Sequence, residues 1–455
     1  MRVSTLRTGL LTMCLAAFGI AGAQDIYISS TSLPRYVKAS TNYQVKLEVK
    51  NNGPGYCASF GVRWRLDGGS WTTTQTINIQ APGLGTGGYY MPVTHNTNLN
   101  TTVGPHTLEI NVVLANDPSQ ANNTVSIPFT ALSNWADKVV LLEARTETWC
   151  PQCPSSNTVT NSLMTNPDFA VVKFHLSDAL DDCPECITYY NQYGITFTPA
   201  GMIEMGEYGG YTINYNHSQW ESAMTARAAG VSPVNLTMTS SLNQATRLLT
   251  VTLNATFTYA LTGPFNLNVY VAEDNVPGPQ SSAPSNYIHH KVMRAMLGGA
   301  SGTGGVIPNT PMVGTTYSHT YSWTVPSTYD MNDLKLVGLV EHKPTTFNNR
   351  YTLNAVTSAA SGVGIDELAL GDERLEAYPN PFSDQLNVRV ADYTGNASIN
   401  LISTDGCVVF QDNIVLNDRN ISTVDLSKAT IAPGLYVLRI DTPEGSASQR
   451  LVRTH

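Results

Sequence analysis

The chain has 455 residues, enough for three or four domains of about 100–150 residues each. Only 13% of the residues are charged, and the formal net charge is -9 at pH 7. This charge repels a phosphate backbone and no Lys- or Arg-rich run offsets it, so the composition argues against a nucleic-acid-binding protein. A hydrophobic share of 42% is enough to bury a core and excludes an intrinsically disordered chain.

The N-terminal residues have the pattern of a secretory signal peptide. Arg2 and Arg7 precede an apolar run over 9–20, which ends in small residues at 21–23, so we predict a signal peptide over 1–23. No later run reaches the ~18 apolar residues of a membrane helix, and no transmembrane segment is expected. Of seven cysteines, Cys14 lies in the signal peptide. The other six belong to an exported, oxidising compartment: Cys57, Cys150, Cys153, Cys183, Cys186 and Cys407.

Residues 24–133 alternate apolar and polar side chains with period two. Val45, Leu47 and Val49 share one face of a predicted strand, and further runs of this kind are separated by turn dipeptides such as Asp67-Gly68. This pattern predicts an immunoglobulin-like β-sandwich. The stretch over 49–55 and the Asn-Asn-Thr at 122–124 resemble the bacterial cell-adhesion-related immunoglobulin-like domain.

The pattern changes over 137–230 to strand, helix, strand, helix. Near-continuous apolar runs over 139–143 and 169–174 predict buried parallel strands, and 219–229 predicts a helix that Gly230 ends. Alternation returns over 231–357 and predicts another β-sandwich. The predicted fold is therefore multidomain and mainly β, with immunoglobulin-like β-sandwiches flanking one α/β domain.

The C-terminal part begins with a Gly- and Ser-containing stretch over 358–374, which is typical of a linker. A small β domain follows over 375–455. Its opening motif at 378–382, the run over 433–440 and the closing Leu451-Val452-Arg453 resemble the C-terminal sorting domain of the type IX secretion system. The resemblance implies the type IX machinery as a partner, export through the outer membrane, and removal of this domain as the rest is attached to the surface or released.

Two cysteines at the start of a predicted helix form a Trp-Cys-x-x-Cys motif over 149–153. Two intervening residues let both sulfurs close a disulfide on one helical turn, and the helix dipole favours a thiolate at the first sulfur. This layout resembles thioredoxin. The resemblance implies a thioredoxin-like domain over 137–230, with Cys150 as nucleophile and Cys153 as resolving cysteine. It also implies that Pro199, which ends the motif over 193–199, is a cis-proline facing the pair.

The span 137–357 resembles the 28-kilodalton outer-membrane protein family, in which a thioredoxin-like module precedes a β domain. The likeness is carried by Glu143, by the Trp-Cys-Pro-x-Cys-Pro run and by the motif over 286–294. It supports the fold more than the reaction. One departure from thioredoxin is that Ala144 stands six residues before the first cysteine, where a buried acid is usual. The adjacent Glu143 should point to the opposite face of the strand.

A second Cys-x-x-Cys pair, Cys183 and Cys186, also stands at a predicted helix start, with Asp182 placed to cap that helix. If the strands over 139–143 and 169–174 pair in parallel, both cysteine pairs emerge at the carboxyl edge of the sheet, where open α/β folds place their sites. Negative charge should raise the thiol pKa values of the second pair and make it less reactive. Its acidic neighbours are Asp178, Asp181, Asp182 and Glu185.

Three functions remain open from the cysteine pattern. The first is redox exchange with protein thiols or disulfides at the cell surface, with the second pair as an accessory disulfide. In the second, both pairs are permanent disulfides of a non-catalytic adhesion or binding protein. A Cys₄ zinc site fits the spacing, but the intervening strand and the export destination disfavour it. We expect the first function, a secreted or surface-attached location, and no cofactor or metal.

The remaining candidate residues have simpler interpretations. His175, near the sheet edge, is predicted to be an ordinary strand-end residue rather than a group that tunes Cys150. His289 and His290 are neighbours on a strand and point to opposite faces, which disfavours a shared metal. Cys57 and Cys407 fall in different domains, so each is predicted to be a small buried hydrophobe.

Overall fold

The computed structural model describes residues 23–454, except 88–90, 182, 206–216, 347–348, 361–374, 392, 404–407, 418–420, 428, 430 and 443–444. Nearly all of the predicted signal peptide and most of the predicted linker lie outside the described residues, as do Asp182 and Cys407. The described part is mainly β, as predicted, and has several sheets.

The N-terminal domain is a sandwich of two sheets. Their strands are β1 (Ile26–Thr31), β2 (Tyr36–Lys38), β3 (Lys46–Asn51), β4 (Ser59–Leu66), β5 (Gln75–Asn78), β6 (Met91–Thr94), β7 (Gly104–Val113) and β8 (Thr124–Leu132). The sheet orders are β1-β3-β6 and β2-β8-β7-β4-β5. Leu47, Val49 and Val62 enter the shared core, as their period-two spacing predicts. Cys57 is buried in the same core, which confirms its predicted role as a small hydrophobe.

The central part begins with an alternating β/α segment and continues into an all-β segment. The first segment comprises β9 (Val140–Arg145), α1 (Cys153–Leu163), β10 (Phe169–Phe174), α2 (Pro184–Asn191), β11 (Ala200–Ile203) and α3 (Trp220–Ala228). The second comprises β12 (Val234–Asn243), β13 (Leu248–Phe257), β14 (Phe265–Glu273), β15 (Val276–Pro277), β16 (Ile288–His289), β17 (Val292–Met296), β18 (Thr316–Thr324), β19 (Leu334–His342) and β20 (Tyr351–Ala359).

One seven-stranded sheet joins these two segments, in the order β11-β9-β10-β17-β14-β19-β20. Strand β10 pairs in parallel with β9 along its whole length, as predicted, and also in parallel with β17, at Lys173 and Val292. The sheet therefore continues across the boundary expected between residues 230 and 231. The predicted second sandwich is a three-stranded sheet, β12-β13-β18, packed on the extension of this shared sheet.

The faces of the shared sheet carry different layers. Successive residues of β9 point to opposite faces, so Leu142 and Ala144 pack with α1 and α3. Leu141 packs on the other face, in a core that includes Tyr189 and Tyr190 of α2. The two cysteine pairs therefore start helices on opposite faces of the sheet.

The C-terminal domain is a further β-sandwich. Its strands are β21 (Leu375–Tyr378), β22 (Gln385–Val390), β23 (Gly395–Ser403), β24 (Val408–Leu416), β25 (Ser422–Asp425), β26 (Gly434–Thr442) and β27 (Gly445–Arg453). They form the sheets β21-β22-β25 and β24-β23-β26-β27 around a separate core. The predicted opening and closing motifs meet in space, because Phe382 N donates to Val452 O at 2.8 Å.

Candidate functional site

Cys150 and Cys153 form a disulfide in the turn between β9 and α1. Cys150 N donates to Glu147 O at 3.2 Å, and Cys153 N donates to Cys150 O at 3.3 Å. Helix α1 begins at Cys153 itself, with Gln152 as its N-cap residue and Pro154 in its first turn. The predicted strand, cysteine motif and helix therefore follow one another as expected, and Cys150 lies just before the helix.

The loop that leads into β11 lies against the disulfide. Thr198 Oγ1 is 3.4 Å from Cys153 Sγ and donates to Arg145 O at 3.3 Å. The peptide bond between Thr198 and Pro199 is cis, as predicted, and Pro199 is buried. Arg145 reinforces this arrangement by donating from Nη1 to Ile195 O at 2.7 Å. Strand β9 and the proline loop thus meet beside Cys153.

Carboxylates from two loops hold the turn before Cys150. The Glu147 carboxylate accepts from Leu176 N at 3.3 Å and from Ser177 N at 3.2 Å, both in the loop after β10. In the opposite direction, Asp178 accepts from Thr148 N. Asp178 was expected to surround the second cysteine pair, but the structure places it on the turn of the first. The loop after β10 crosses the end of β9 because these strands are parallel neighbours.

His175 completes this buried cluster. Its Nδ1 lies 2.8 Å from Asp178 Oδ2, and its ring meets that of His289 edge-on, with the centroids 5.4 Å apart. His175 therefore contacts the turn through Asp178, and its predicted lack of influence on Cys150 stays a prediction. His289 faces this cluster, whereas His290 lies near Asp274, in agreement with the prediction that the two histidines point apart.

Burial shifts the pKa values of the cluster in opposite directions. Burial and the nearby Asp178 carboxylate raise the pKa of Glu147 to about 7. Burial also acts to raise the pKa of Asp178, but the hydrogen bond and charge of His175 and two backbone N–H groups outweigh it and lower the pKa to about 2. Burial and His175 lower the pKa of His289 to about 4. At neutral pH, Asp178 is therefore the permanent anion of the cluster.

The ligand atoms of Glu147, His175 and Asp178 lie within 4.8 Å of one another, a spacing that suits a metal ion. Both carboxylates, however, already accept backbone N–H groups. An ion would have to compete with these donors, and the same contacts tie the cysteine turn to the loop after β10. We therefore interpret the cluster as a clamp on the turn. Sequence reasoning missed Glu147, whose only sequence signal is its position three residues before Cys150.

A distant residue also holds the cysteine turn. Gln280 Nε2 lies within hydrogen-bonding distance of three carbonyl oxygens, those of Glu147 at 3.3 Å, Thr148 at 3.3 Å and Cys150 at 3.0 Å. Cys150 is only 2% exposed, and Cys153 is fully buried. Beside them, Trp149 and Phe197 are 55% and 51% exposed. Both cysteines are thus buried, whereas the apolar side chains of Trp149 and Phe197 beside them are open to solvent.

Cys183 and Cys186 form the second disulfide. The N-cap residue of α2 is Cys183, which makes no side-chain capping bond, and Asp182, the predicted cap, lies outside the described residues. Both cysteines are buried in the same core as Phe174 and Tyr190. Cys183 Sγ lies 3.8 Å from Glu185 Oε2, so one of the predicted acidic neighbours is present.

Glu143 lies on the opposite face of β9 from Ala144, as predicted, and this is the face on which α2 packs. It is buried, and its Oε1 accepts from Tyr189 Oη at 2.6 Å and from Tyr270 Oη at 3.0 Å. Burial raises the pKa of Glu143 to about 7, and the nearby Glu341 carboxylate adds to the shift. Ala144 faces α1 and α3 instead, so the first cysteine pair has no acid at that position.

Three family models match the chain. Residues 187–360 match outer membrane protein Omp28, residues 376–454 match the secretion system C-terminal sorting domain, and residues 23–126 match CARDB. These matches confirm the resemblances to the 28-kilodalton outer-membrane protein family, to the sorting domain and to the adhesion-type domain. The Omp28 match begins at residue 187, after both cysteine pairs, and the resemblance to thioredoxin stays a prediction. A comparison with curated proteins found no match.

Among solved structures, the chain is similar to HBP35 of Porphyromonas gingivalis, with 15% identity, a TM-score of 0.44, and coverage of 70% of this chain and 98% of that one. It is also similar to the CARDB domain of the PF1109 protein from Pyrococcus furiosus, with 18% identity, a TM-score of 0.19, and coverage of 24% of this chain and 93% of that one.

The family matches also bear on location. An outer-membrane family and a type IX sorting domain together make this a secreted or outer-membrane surface protein, as predicted. In the part of the chain that the structure describes, no helix has the length and apolar character needed to cross a membrane.

Proposed function

For this chain, which joins an Omp28 segment to a secretion sorting domain, we propose thiol–disulfide exchange outside the cytoplasm through Cys150 and Cys153. The observation that carries the proposal is the position of this disulfide at the start of α1, with Thr198 of the proline loop against Cys153. The exposed side chains of Trp149 and Phe197 beside it provide an apolar surface on which a polypeptide can dock.

The reaction begins with the oxidised pair. A substrate thiolate attacks Cys150 Sγ, a mixed disulfide forms, and the bond between the two cysteines breaks. The electron pair of that bond leaves on Cys153, which then takes up a proton. A second substrate thiolate attacks the substrate sulfur of the mixed disulfide and releases Cys150. The substrate has lost two electrons to become a disulfide, and the cysteine pair has gained them as two thiols. The reverse sequence reduces a substrate disulfide.

A second candidate function is that of a non-catalytic surface-binding protein in which both disulfides are structural. The observation that favours it is the burial of Cys150, because an attacking thiolate has little access to its sulfur in this conformation. The thioredoxin-like arrangement would then serve only as a scaffold.

Replacing Cys153 distinguishes these functions. In the Cys153→Ser variant, Cys150 still attacks a substrate disulfide, but no resolving thiol remains, so we expect a mixed disulfide with a partner protein to accumulate. Nonreducing electrophoresis and mass spectrometry of surface extracts would detect an adduct that reducing agent removes.

The matched controls are Cys150→Ser and Cys186→Ser, which should give no adduct. A scaffold lacks this asymmetry. Loss of either cysteine of the first pair removes the same cross-link, lowers the free energy of unfolding by about 2–4 kcal/mol and traps no partner. If Cys153→Ser gives no adduct beyond that of Cys150→Ser, the exchange function is wrong and the binding function takes its place.

We also propose export with processing at both ends. The surface form should begin near Gln24 and lack its last ~80–90 residues, because signal peptides are removed after export and the sorting resemblance implies removal of the C-terminal domain. Mass spectrometry of the surface fraction measures both ends. Full-length protein held in the periplasm, with residues 378–455 intact, would contradict the sorting assignment.

A further inference from the structure

A loop from the all-β segment lies against the turn that carries the first disulfide. This strap comprises residues 278–287 and connects β15 to β16, which pair with each other. Gly278 N donates to Tyr287 O at 3.2 Å and closes the base of the strap. Because β15 and β16 follow β14 of the shared sheet, the strap reaches the cysteine turn only through the tertiary fold.

The strap contacts both the cysteine turn and helix α1. Besides the three contacts of Gln280 Nε2 with turn carbonyls, Ser281 N donates to Thr148 O at 2.7 Å. At its other end, Tyr287 Oη accepts from Asn157 Nδ2 of α1 at 2.8 Å. These contacts hold the strap beside Cys150, which is only 2% exposed.

The side-chain amide of Gln280 makes the central contacts of the strap, but its hydrogen-bonding groups are only partly satisfied. A Gln amide has two hydrogens, so Gln280 Nε2 shares them among three carbonyl oxygens. Its Oε1 is buried and has no hydrogen-bond partner among the described residues. Exchanging the amide N and O would place an oxygen against three carbonyl oxygens, so the observed orientation is the favourable one. A buried unpaired acceptor disfavours the closed strap, which makes the strap displaceable.

We infer that the strap gates Cys150, that Gln280 is the positioning residue that keeps it closed, and that the substrates are polypeptides rather than small thiols. This inference rests on the proposed exchange at Cys150. Opening the strap loses its hydrogen bonds to the turn and to α1. A polypeptide offsets this loss by covering Trp149 and Phe197 and by donating backbone N–H groups to the freed carbonyls. A small thiol has too few contacts to do so.

The experiment measures access to the disulfide in the full chain. Wild type, Gln280→Ala and Gln280→Glu are treated with dithiothreitol, and alkylation with mass spectrometry follows reduction of each disulfide. We expect Cys150–Cys153 to be reduced about tenfold faster in Gln280→Ala than in wild type. Tenfold is the rate factor that corresponds to the loss of about one hydrogen bond. Gln280→Glu should be faster still, because a carboxylate is repelled by the carbonyls of the turn.

Two controls separate gating from general loosening. Ser285→Ala changes an exposed residue of the same strap and should leave the rate unchanged. The Cys183–Cys186 disulfide reports on the rest of the fold and should be reduced at the wild-type rate in every variant. The gate is wrong if Cys150–Cys153 is reduced at the same rate in wild type and in both Gln280 variants. It is also wrong if the Gln280 variants show the same increase in the reduction rate of Cys183–Cys186.

The substrate class is tested with a synthetic extended peptide that contains two cysteines. In wild type, this peptide should reduce Cys150–Cys153 faster than dithiothreitol does at equal thiol concentration. In Gln280→Ala, the rates of reduction by the peptide and by dithiothreitol should be closer to each other. If dithiothreitol is as fast as the peptide in wild type, the polypeptide assignment is wrong. Reduction by dithiothreitol requires no natural substrate, so the gate can hold even if Cys153→Ser traps no partner and the exchange function fails.

Discussion

Trp220→Ala should lower the free energy of unfolding of the central part by about 3–5 kcal/mol. Trp220 is the first residue of α3 and is 0% exposed, in a core with Leu142 and Ala144 of β9. Gly201 of β11 provides the space for the indole, because a Cβ at that position would lie 2.6 Å from Trp220 Nε1. Truncation removes the transfer free energy of the indole and leaves a cavity between α3 and the sheet.

Differential scanning calorimetry of the full chain measures this loss. The matched control is Trp149→Ala, which truncates a 55% exposed indole and should change the stability by no more than about 0.5 kcal/mol. The effect also bears on the site, because β11 begins at Ala200, directly after Pro199. A loss below about 1 kcal/mol for Trp220→Ala would show that α3 does not depend on this contact.

Glu143→Gln should stabilise the protein at alkaline pH. Glu143 is fully buried, and burial raises its pKa to about 7 from an ordinary value of 4.5. The group is thus neutral in the folded state below pH 7. Gln keeps an oxygen that accepts from Tyr189 and Tyr270, and it carries no charge at any pH.

The sign of the pH dependence follows from the raised pKa. The stability that neutral Glu143 contributes is fully present below pH 4.5 and is lost as the pH rises through about 7, because ionisation is easier in the unfolded chain. A shift of this size corresponds to about 3 kcal/mol. Glu143→Gln should therefore match wild type near pH 4.5 and exceed its unfolding free energy by up to about 3 kcal/mol at pH 8.

Urea denaturation at a series of pH values tests this prediction. Glu221→Gln, the same substitution on the exposed side of α3, is the control and should leave the pH profile unchanged. If Glu143→Gln is as pH-dependent as wild type between pH 4.5 and 8, Glu143 is not the group that titrates.

Local sequence patterns predicted individual elements well. The near-continuous apolar run over 169–174 has the same first and last residues as strand β10. A strand buried on both faces needs apolar side chains at nearly every position. The run over 219–229 is α3 with an end shift of one residue at each side. The short spacing within each cysteine pair was enough to indicate a disulfide, and both disulfides are present.

The surroundings of the cysteines were beyond such patterns. Glu147 and Asp178 carry no sequence signal of burial, and a carboxylate is ordinarily exposed. They are buried because the loops after two neighbouring parallel strands meet at one edge, where backbone N–H groups satisfy them. Gln280 lies 130 residues from Cys150, and nothing in its own segment indicates a partner at that distance.

The sequence alone therefore determined the order of elements, the spacing of the cysteine pairs and the sorting and adhesion-type domains, because periodicity, turn residues and short motifs act over a few residues. Tertiary structure alone decided that β10 pairs with β17 and merges two expected domains into one sheet. It also decided that Asp178 accepts from the turn of the first pair and that Gln280 of the strap contacts the Cys150 carbonyl. These outcomes depend on which strands become neighbours and which buried polar groups find partners, and contacts between distant residues settle both.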